Sequence, residues 1–244
     1  MKRMFFKLRM APVYAGLVLA MGILLVACSK SNDGDAVDIP AAGLLSFNLA
    51  ADKPGVSITL SGNLLTRNPL GYGNYSGYYQ PIFPGTREIK SYDYYADSVI
   101  SSSGFNFSTD NYYSLFVLGA NGNYQHVVAL DELDSLPFEN GKAYIRYINA
   151  IPDPTSPLVS ITASGKNVFN ENSSFKKVST YSRVDAGDVV VKADNNALIN
   201  TERTISVEQG KIYTILLTGI PGSTDAAKAV QVRYILNGSI RNEN

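Results

Sequence analysis

Val56-Ser57-Ile58-Thr59-Leu60-Ser61-Gly62 recurs as Val159-Ser160-Ile161-Thr162-Ala163-Ser164-Gly165, at an offset of 103 residues. Both stretches alternate apolar residues with hydroxyl residues and stop at Ser-Gly. That alternation belongs to a strand with one buried face, and the glycine marks the turn that ends it. Further on, Tyr113-Ser114-Leu115-Phe116-Val117-Leu118-Gly119 matches Tyr213-Thr214-Ile215-Leu216-Leu217-Thr218-Gly219 at an offset of 100. Between these pairs, Pro84-Gly85 stands where Ala186-Gly187 stands, at an offset of 102. Three matches in order, with a drifting offset, indicate one domain written twice with small loop deletions. A copy of about 95 residues can hold one core, so the second copy is expected to fold alone.

The same pattern fills the second copy. Ala143–Asn149 alternates, with Tyr144, Arg146 and Ile148 on one face against Ile145 and Tyr147 on the other. Asp188–Lys192, Thr204–Val207, Ile212–Thr218 and Val230–Leu236 follow, separated by Gly, Asn and Pro. Short runs rich in Val, Ile, Thr and Tyr read as a sandwich or barrel. Two repeats are too few for a propeller. With no Trp and a single Cys, an antibody-type Cys–Trp–Cys core is excluded. The expected fold is all-β: two tandem immunoglobulin-like antiparallel β-sandwich domains after a lipoprotein signal peptide. The first occupies 43–130, a linker 131–141, and the second 142–240.

The N-terminus carries its own signal. Lys2, Arg3, Lys7 and Arg9 precede an uncharged run from Met10 to Ser29. A positive start, an apolar middle and small residues at the cut describe a secretory signal, here residues 1–27. An uncleaved membrane helix is the alternative, since about 20 uncharged residues can span a bilayer. Leu25-Val26-Ala27-Cys28 decides between them, because it resembles the lipobox of bacterial lipoproteins and Cys28 is the only cysteine. The resemblance implies that Cys28 is lipidated, with the membrane as partner and no disulfide in the mature chain. Residues 28–42 then form a flexible tether, polar and rich in Asp, loosely resembling the acidic surface-export signals of Bacteroidota lipoproteins. The expected location is the bacterial outer membrane, periplasmic or surface-exposed. The signal takes four of the 21 basic residues and none of the 21 acidic ones, leaving 17 against 21 and a mature net charge of −4. A weakly acidic chain gives no basic patch for nucleic acid.

The second copy contains Arg146-Tyr147-Ile148-Asn149-Ala150-Ile151-Pro152-Asp153, then Tyr181-Ser182-Arg183-Val184-Asp185-Ala186-Gly187, then Gly210-Lys211-Ile212-Tyr213-Thr214. In these motifs the chain resembles the domain-of-unknown-function family numbered 4397, over most of 142–237 and more loosely over 43–130. In the first copy Leu49-Ala50-Ala51-Asp52-Lys53-Pro54 replaces the Asn-Ala-x-Pro turn. The resemblance implies repeated exported sandwiches and transfers no catalytic or binding residues.

Residue chemistry points to binding rather than catalysis. His126 is the sole histidine and lies in a strand-like run, so neither a metal cluster nor a Ser–His–Asp triad has the right spacing. No catalytic residue, metal site or cofactor is expected. Asp131, Glu132 and Asp134 at the junction read as a solvated linker, with calcium as the alternative. The chain has 16 Tyr, and Tyr72, Tyr75, Tyr78 and Tyr79 crowd one Gly-rich loop of the first copy. Tyrosine gives rigid contact area with a hydroxyl for hydrogen bonds, so these four are the candidate contact surface. Asp97-Ser98-Val99 and Asp134-Ser135-Leu136 resemble the O-glycan acceptor of Bacteroidota and make Ser98 and Ser135 candidate modification sites. The expected function is a non-catalytic cell-envelope lipoprotein, a surface binding or scaffolding module with a glycan or protein ligand. The alternative is a glycan-binding accessory protein of a polysaccharide-uptake system.

Overall fold

The computed structural model describes residues 39–241. The signal segment, Cys28 and the tether up to residue 38 lie outside the described residues. The first copy holds β1 (Ala42–Ala50), β2 (Gly55–Leu60), β3 (Asn63–Leu64), β4 (Leu70–Gly71), β5 (Gln80–Ile82), β6 (Gly85–Asp93), β7 (Ser98–Phe107), β8 (Tyr112–Ala120) and β9 (Asn123–Leu130). A single 3-10 turn, Leu133–Ser135, leads to β10 (Lys142–Asn149), β11 (Leu158–Ala163), β12 (Lys166–Asn172), β13 (Ser182–Asp185), β14 (Gly187–Asp194), β15 (Asn200–Val207), β16 (Lys211–Thr218) and β17 (Gln231–Ser239). The sheets run β5-β1-β8-β9 and β3-β2-β6-β7 in the first copy, with β4 also on β2, and β13-β10-β16-β17 and β12-β11-β14-β15 in the second. Each copy is thus a two-sheet sandwich with the same strand order.

Pairing is antiparallel except for one parallel pair per copy, β1 with β8 and β10 with β16. Other details repeat as well. The Tyr113 hydroxyl accepts the Ser108 amide and the Tyr213 hydroxyl accepts the Glu208 amide, the tyrosine-corner contact of immunoglobulin-like sandwiches. Asn48 and Asn149, both fully buried, each bond a loop carbonyl through Nδ2, that of Lys53 and of Ser173 respectively, and the amide two residues on through Oδ1. Gly119 and Gly219 close the motifs matched by sequence at positive φ, and a Cβ at either would meet a backbone oxygen 2.0 or 2.3 Å away. Only glycine fits there.

Among the described residues three apolar clusters form, not two. Val56, Ile58, Ile89, Phe107, Leu115 and their neighbours fill the first sandwich, and Ile145, Tyr147, Val159, Val191, Ile215 and theirs fill the second. The third cluster joins Leu45, Phe47, Leu49, Phe116 and Leu118 of the first copy to Ile148, Ala150, Leu216 and Ile235 of the second. The sheet β5-β1-β8-β9 therefore packs face to face on β13-β10-β16-β17, and four sheets stack. The two inner sheets are covered on both faces, which is why β1, β8, β10 and β16 are buried almost without a break. The alternation in β10 splits as the sequence indicates: Ile145 and Tyr147 enter the second core, and Ile148 faces the first sandwich.

Burying one large apolar side chain contributes about 1.5–3 kcal/mol. Several such residues in the third cluster rival the net stability of a whole domain, roughly 5–15 kcal/mol. A fragment of residues 141–241 would leave Ile148, Leu216 and Ile235 in water. It should keep β-type circular dichroism, melt below residues 39–241, and self-associate through the bared face. Residues 39–241 should melt in one transition. A monomeric fragment with the melting temperature of the longer chain, measured by circular dichroism and sedimentation, would contradict this account.

Candidate functional site

Within the seam between the sandwiches lies a buried polar network. Arg146 on β10 and Asp131, just past β9, are each about 1% exposed and form an ion pair of 2.6 Å. Asp131 Oδ2 also accepts from the Tyr79 hydroxyl at 2.5 Å and the Ser114 hydroxyl at 2.6 Å. Arg146 donates from Nη2 to Ser114 Oγ and from Nε to Thr214 Oγ1, and the Tyr181 ring lies 4.5 Å from its guanidinium carbon. Thr214 passes a further hydrogen bond to Asn237. Burial would lower the Arg146 pKa, but the Asp131 charge and hydrogen bond outweigh it and hold the guanidinium above its usual value. The Tyr79 hydroxyl is pushed up, by burial first and by the Asp131 charge second. The network ties residues of both sandwiches together, and its Tyr79 and Asn237 border the cleft at one end of the seam. The solvated-linker expectation thus fails at Asp131: its carboxylate is closed off and spent on Arg146. Glu132 and Asp134 alone remain exposed, and among the described residues no group of three or more His, Cys, Asp or Glu is set to hold a metal.

The same seam takes most of the tyrosine loop. Tyr75 stacks on Phe47 with ring centroids 5.5 Å apart and joins the third cluster. Tyr79 bonds Asp131 and meets Tyr112 edge-on. Tyr72 lies under Arg233 of the second sandwich at 5.1 Å. Of the four expected contact residues, Tyr72, Tyr75 and Tyr79 are thus half-buried at the seam, and Tyr78 alone is largely open, at 63% exposure. The reason is the stacking of the two copies, since this loop borders the seam. Backbone pairing explains the exception. Asn74 and Lys177 hold equivalent places against Asn48 and Asn149, while Gln80 and Ser182 face Leu44 and Ile145. The first copy has one more residue in this interval, which leaves Tyr79 equivalent to Tyr181 and puts Tyr78 outside.

Tyr78 borders a groove of about 340 Å³ between the edge strands β3 and β5, with Leu64, Phe83, Asn63, Gln80 and Arg87 among its walls. Leu64 is 57% and Phe83 65% exposed. Arg87 donates from Nε to the Phe83 carbonyl and from Nη2 to the Pro84 carbonyl, and forms no ion pair among the described residues. The second sandwich has the corresponding hollow, walled by Lys142, Lys166, Asn167, Arg183 and Asp185. Register places Asn167 where Leu64 stands and Asp185 where Phe83 stands. A wider cleft of about 890 Å³ opens at one end of the seam, past Tyr79, Tyr112, Phe138 and Asn237.

His126 sits on β9 with its two ring nitrogens on serine hydroxyls, Nε2 on Ser91 at 2.8 Å and Nδ1 on Ser103 at 2.7 Å. Burial lowers its pKa to about 4, so the ring is neutral at pH 7. Ser91 is fully buried and no carboxylate touches the ring, so the arrangement is a satisfied core contact. Ser98 and Ser135 are both exposed, the first after the Tyr94–Tyr95 hairpin tip and the second in the 3-10 turn.

A profile described as "Domain of unknown function (DUF4397)" matches residues 42–154 and again 143–233, most of the chain and both sandwiches. The chain belongs to the DUF4397 family. No curated protein matches it. Among solved structures it resembles the Bacillus anthracis TIE protein at 13% identity and a TM-score of 0.26, over 75% of this chain and 34% of that one. It also resembles a structure titled for alpha-glucan recognition by family 41 carbohydrate-binding modules from streptococcal virulence factors, at 7% identity and a TM-score of 0.24, over 78% of this chain and 96% of that one. This DUF4397 chain spans about a third of the length of the first, and both TM-scores are too low to carry an argument.

Sequence reasoning missed Leu64, Phe83 and Arg87; Phe83 and Arg87 are local neighbours, but Leu64 reaches them only through the β2–β6 sheet. Arg146 left a trace, because the first copy has Leu45 at the equivalent place. An arginine inside a strand buried on both faces needs an anion.

Two expectations follow for this DUF4397 protein. Asp131→Asn leaves a buried guanidinium uncompensated and should cost about 3–5 kcal/mol in denaturant unfolding, whereas Arg146→Met with Asp131→Leu should recover most of it. Equal stability of Asp131→Asn and the parent would remove the network from the account. For His126, the folded-state pKa lies below the unfolded value near 6.5. The unfolded chain therefore binds the extra proton first as pH falls, and stability drops between about pH 6.5 and 4 by about 3 kcal/mol, then levels off. Urea titrations of the parent and His126→Gln across that range check this, since the variant lacks this part of the slope.

Proposed function

We propose that this protein is a non-catalytic binding module of the bacterial envelope. In this reading the lipid on Cys28 holds it to the outer membrane, and the first sandwich presents its β3–β5 groove to a glycan or protein ligand. One observation carries the reading. Leu64, Tyr78 and Phe83 are each more than half exposed around a single groove, while the second copy builds the same place from Asn167 and Asp185 without loss of the fold. The scaffold does not require exposed apolar groups there. Clustered apolar exposure rimmed by polar residues marks an interaction site, and a rigid sandwich with a variable edge is a usual carrier of one. The glycan-binding accessory role is the narrower form of this reading, supported by aromatic rings beside Asn63, Gln80 and Arg87 in one hollow. Ser98 and Ser135, both exposed, are proposed as glycan acceptors.

The test uses residues 39–241 as a soluble bait against envelope glycans and proteins from the native host. Tyr78→Ala with Phe83→Ala should abolish retention of the captured ligand and move the melting temperature little. In the full-length chain, Cys28→Ala should abolish palmitate labelling and release the protein from membranes. Retention that ignores the double variant would move the site elsewhere, and normal labelling of Cys28→Ala would remove the anchor.

A further inference from the structure

We infer that the β3–β5 groove is a subsite for an acidic sugar, with Tyr78 and Phe83 as stacking rings and Arg87 as the partner of the sugar carboxylate. The inference rests on the binding-module reading and adds the chemical class. Three features lead to it. The first is charge. Arg87 is only partly exposed, its fork is pinned by the carbonyls of Phe83 and Pro84, and those carbonyls are neutral. Neighbouring Glu88 pairs with Lys90, and the groove walls contain no carboxylate. A half-buried cation held in place without a counter-ion favours an anion, and a guanidinium fits a planar carboxylate best.

The second feature is the mixed lining. A pyranose has an apolar C–H face and a polar edge. The C–H face suits the electron-rich face of Tyr78 or Phe83, and the edge hydroxyls suit Asn63. At about 340 Å³ the groove falls at the small end of ligand sites, suited to a sugar unit or two. The third feature disfavours the competing occupant, an extended peptide added to a sheet edge. β3 has two residues and β5 has three, too short an edge to template a strand. The second sandwich is an internal comparison. Its hollow has Lys166 and Asn167 in place of Asn63 and Leu64, Asp185 beside the cations, and no aromatic wall. It lacks a stacking ring, and two of its three cations are already paired, Lys142 with Asp185 and Arg183 with Glu139.

Calorimetric titration of residues 39–241 with short galacturonate oligomers, with glucose oligomers of equal length, and with an extended Val/Thr-rich peptide tests this. Galacturonate should bind and glucose should bind weakly or not at all. Arg87→Gln should weaken galacturonate binding by about tenfold or more, the loss of a charged hydrogen bond. Phe83→Ala should weaken it as well, while Lys166→Gln, a charge change on the second sandwich, should not. Melting temperatures confirm that each variant is folded. Equal binding of both sugars with no effect of Arg87→Gln overturns the acidic assignment. Binding of the peptide and of neither sugar overturns the sugar assignment but leaves the binding module standing. If nothing binds and bait retention ignores Tyr78→Ala with Phe83→Ala, both readings fall.

Discussion

A carboxylate and a guanidinium withdrawn from water must each be completely bonded, and the contact between Asp131 and Arg146 imposes that condition on the seam. Its partners come from β8, β10, β16, β17 and the loop before β5, so they meet in one relative placement of the two inner sheets. The apolar third cluster supplies most of the free energy of the seam, but apolar faces slide easily. The polar network penalises each slipped register by leaving a buried charge unpaired. Affinity and registry are thus divided between two sets of residues on the same faces.

Duplication made this seam available and divergence made it asymmetric. Leu45 and Arg146 hold equivalent places on β1 and β10, yet one is apolar and the other charged. Ser114 and Thr214, at equivalent places on β8 and β16, both serve Arg146. The outer edges diverged in the opposite sense. There the first copy became aromatic and apolar, and the second became charged. The structural load sits on the inner sheets, which frees the outer edges to vary.

How much of this could be read from the chain follows from range. Alternation and turn residues act over a few positions, so the strands, the two copies and the sandwich class were legible. Ala143–Asn149 even showed its two faces correctly. The stacking of the copies was not legible, because a strand covered on both faces differs from a half-covered one only by polar residues that can find partners. Arg146 kept a polar appearance while lying inside, and the tyrosine loop looked like a surface because its cover comes from residues far along the chain. The groove escaped for the same reason: Leu64, Tyr78, Phe83 and Arg87 are unremarkable until β2, β5 and β6 bring them together.

The parallel pairs carry a consequence for how the chain reaches this structure. β1 lies beside β8, with Gly43 opposite Tyr112, so the centre of the first inner sheet cannot form until most of that copy has emerged. Asp131 then waits for Arg146, and Arg146 for Thr214 on a strand near the far end of the chain. Closing such long loops before any reward arrives makes folding slow relative to chains built from local contacts. For the envelope location proposed above this would matter, because a polypeptide that stays open until its last strands are available remains fit for threading through a translocation channel.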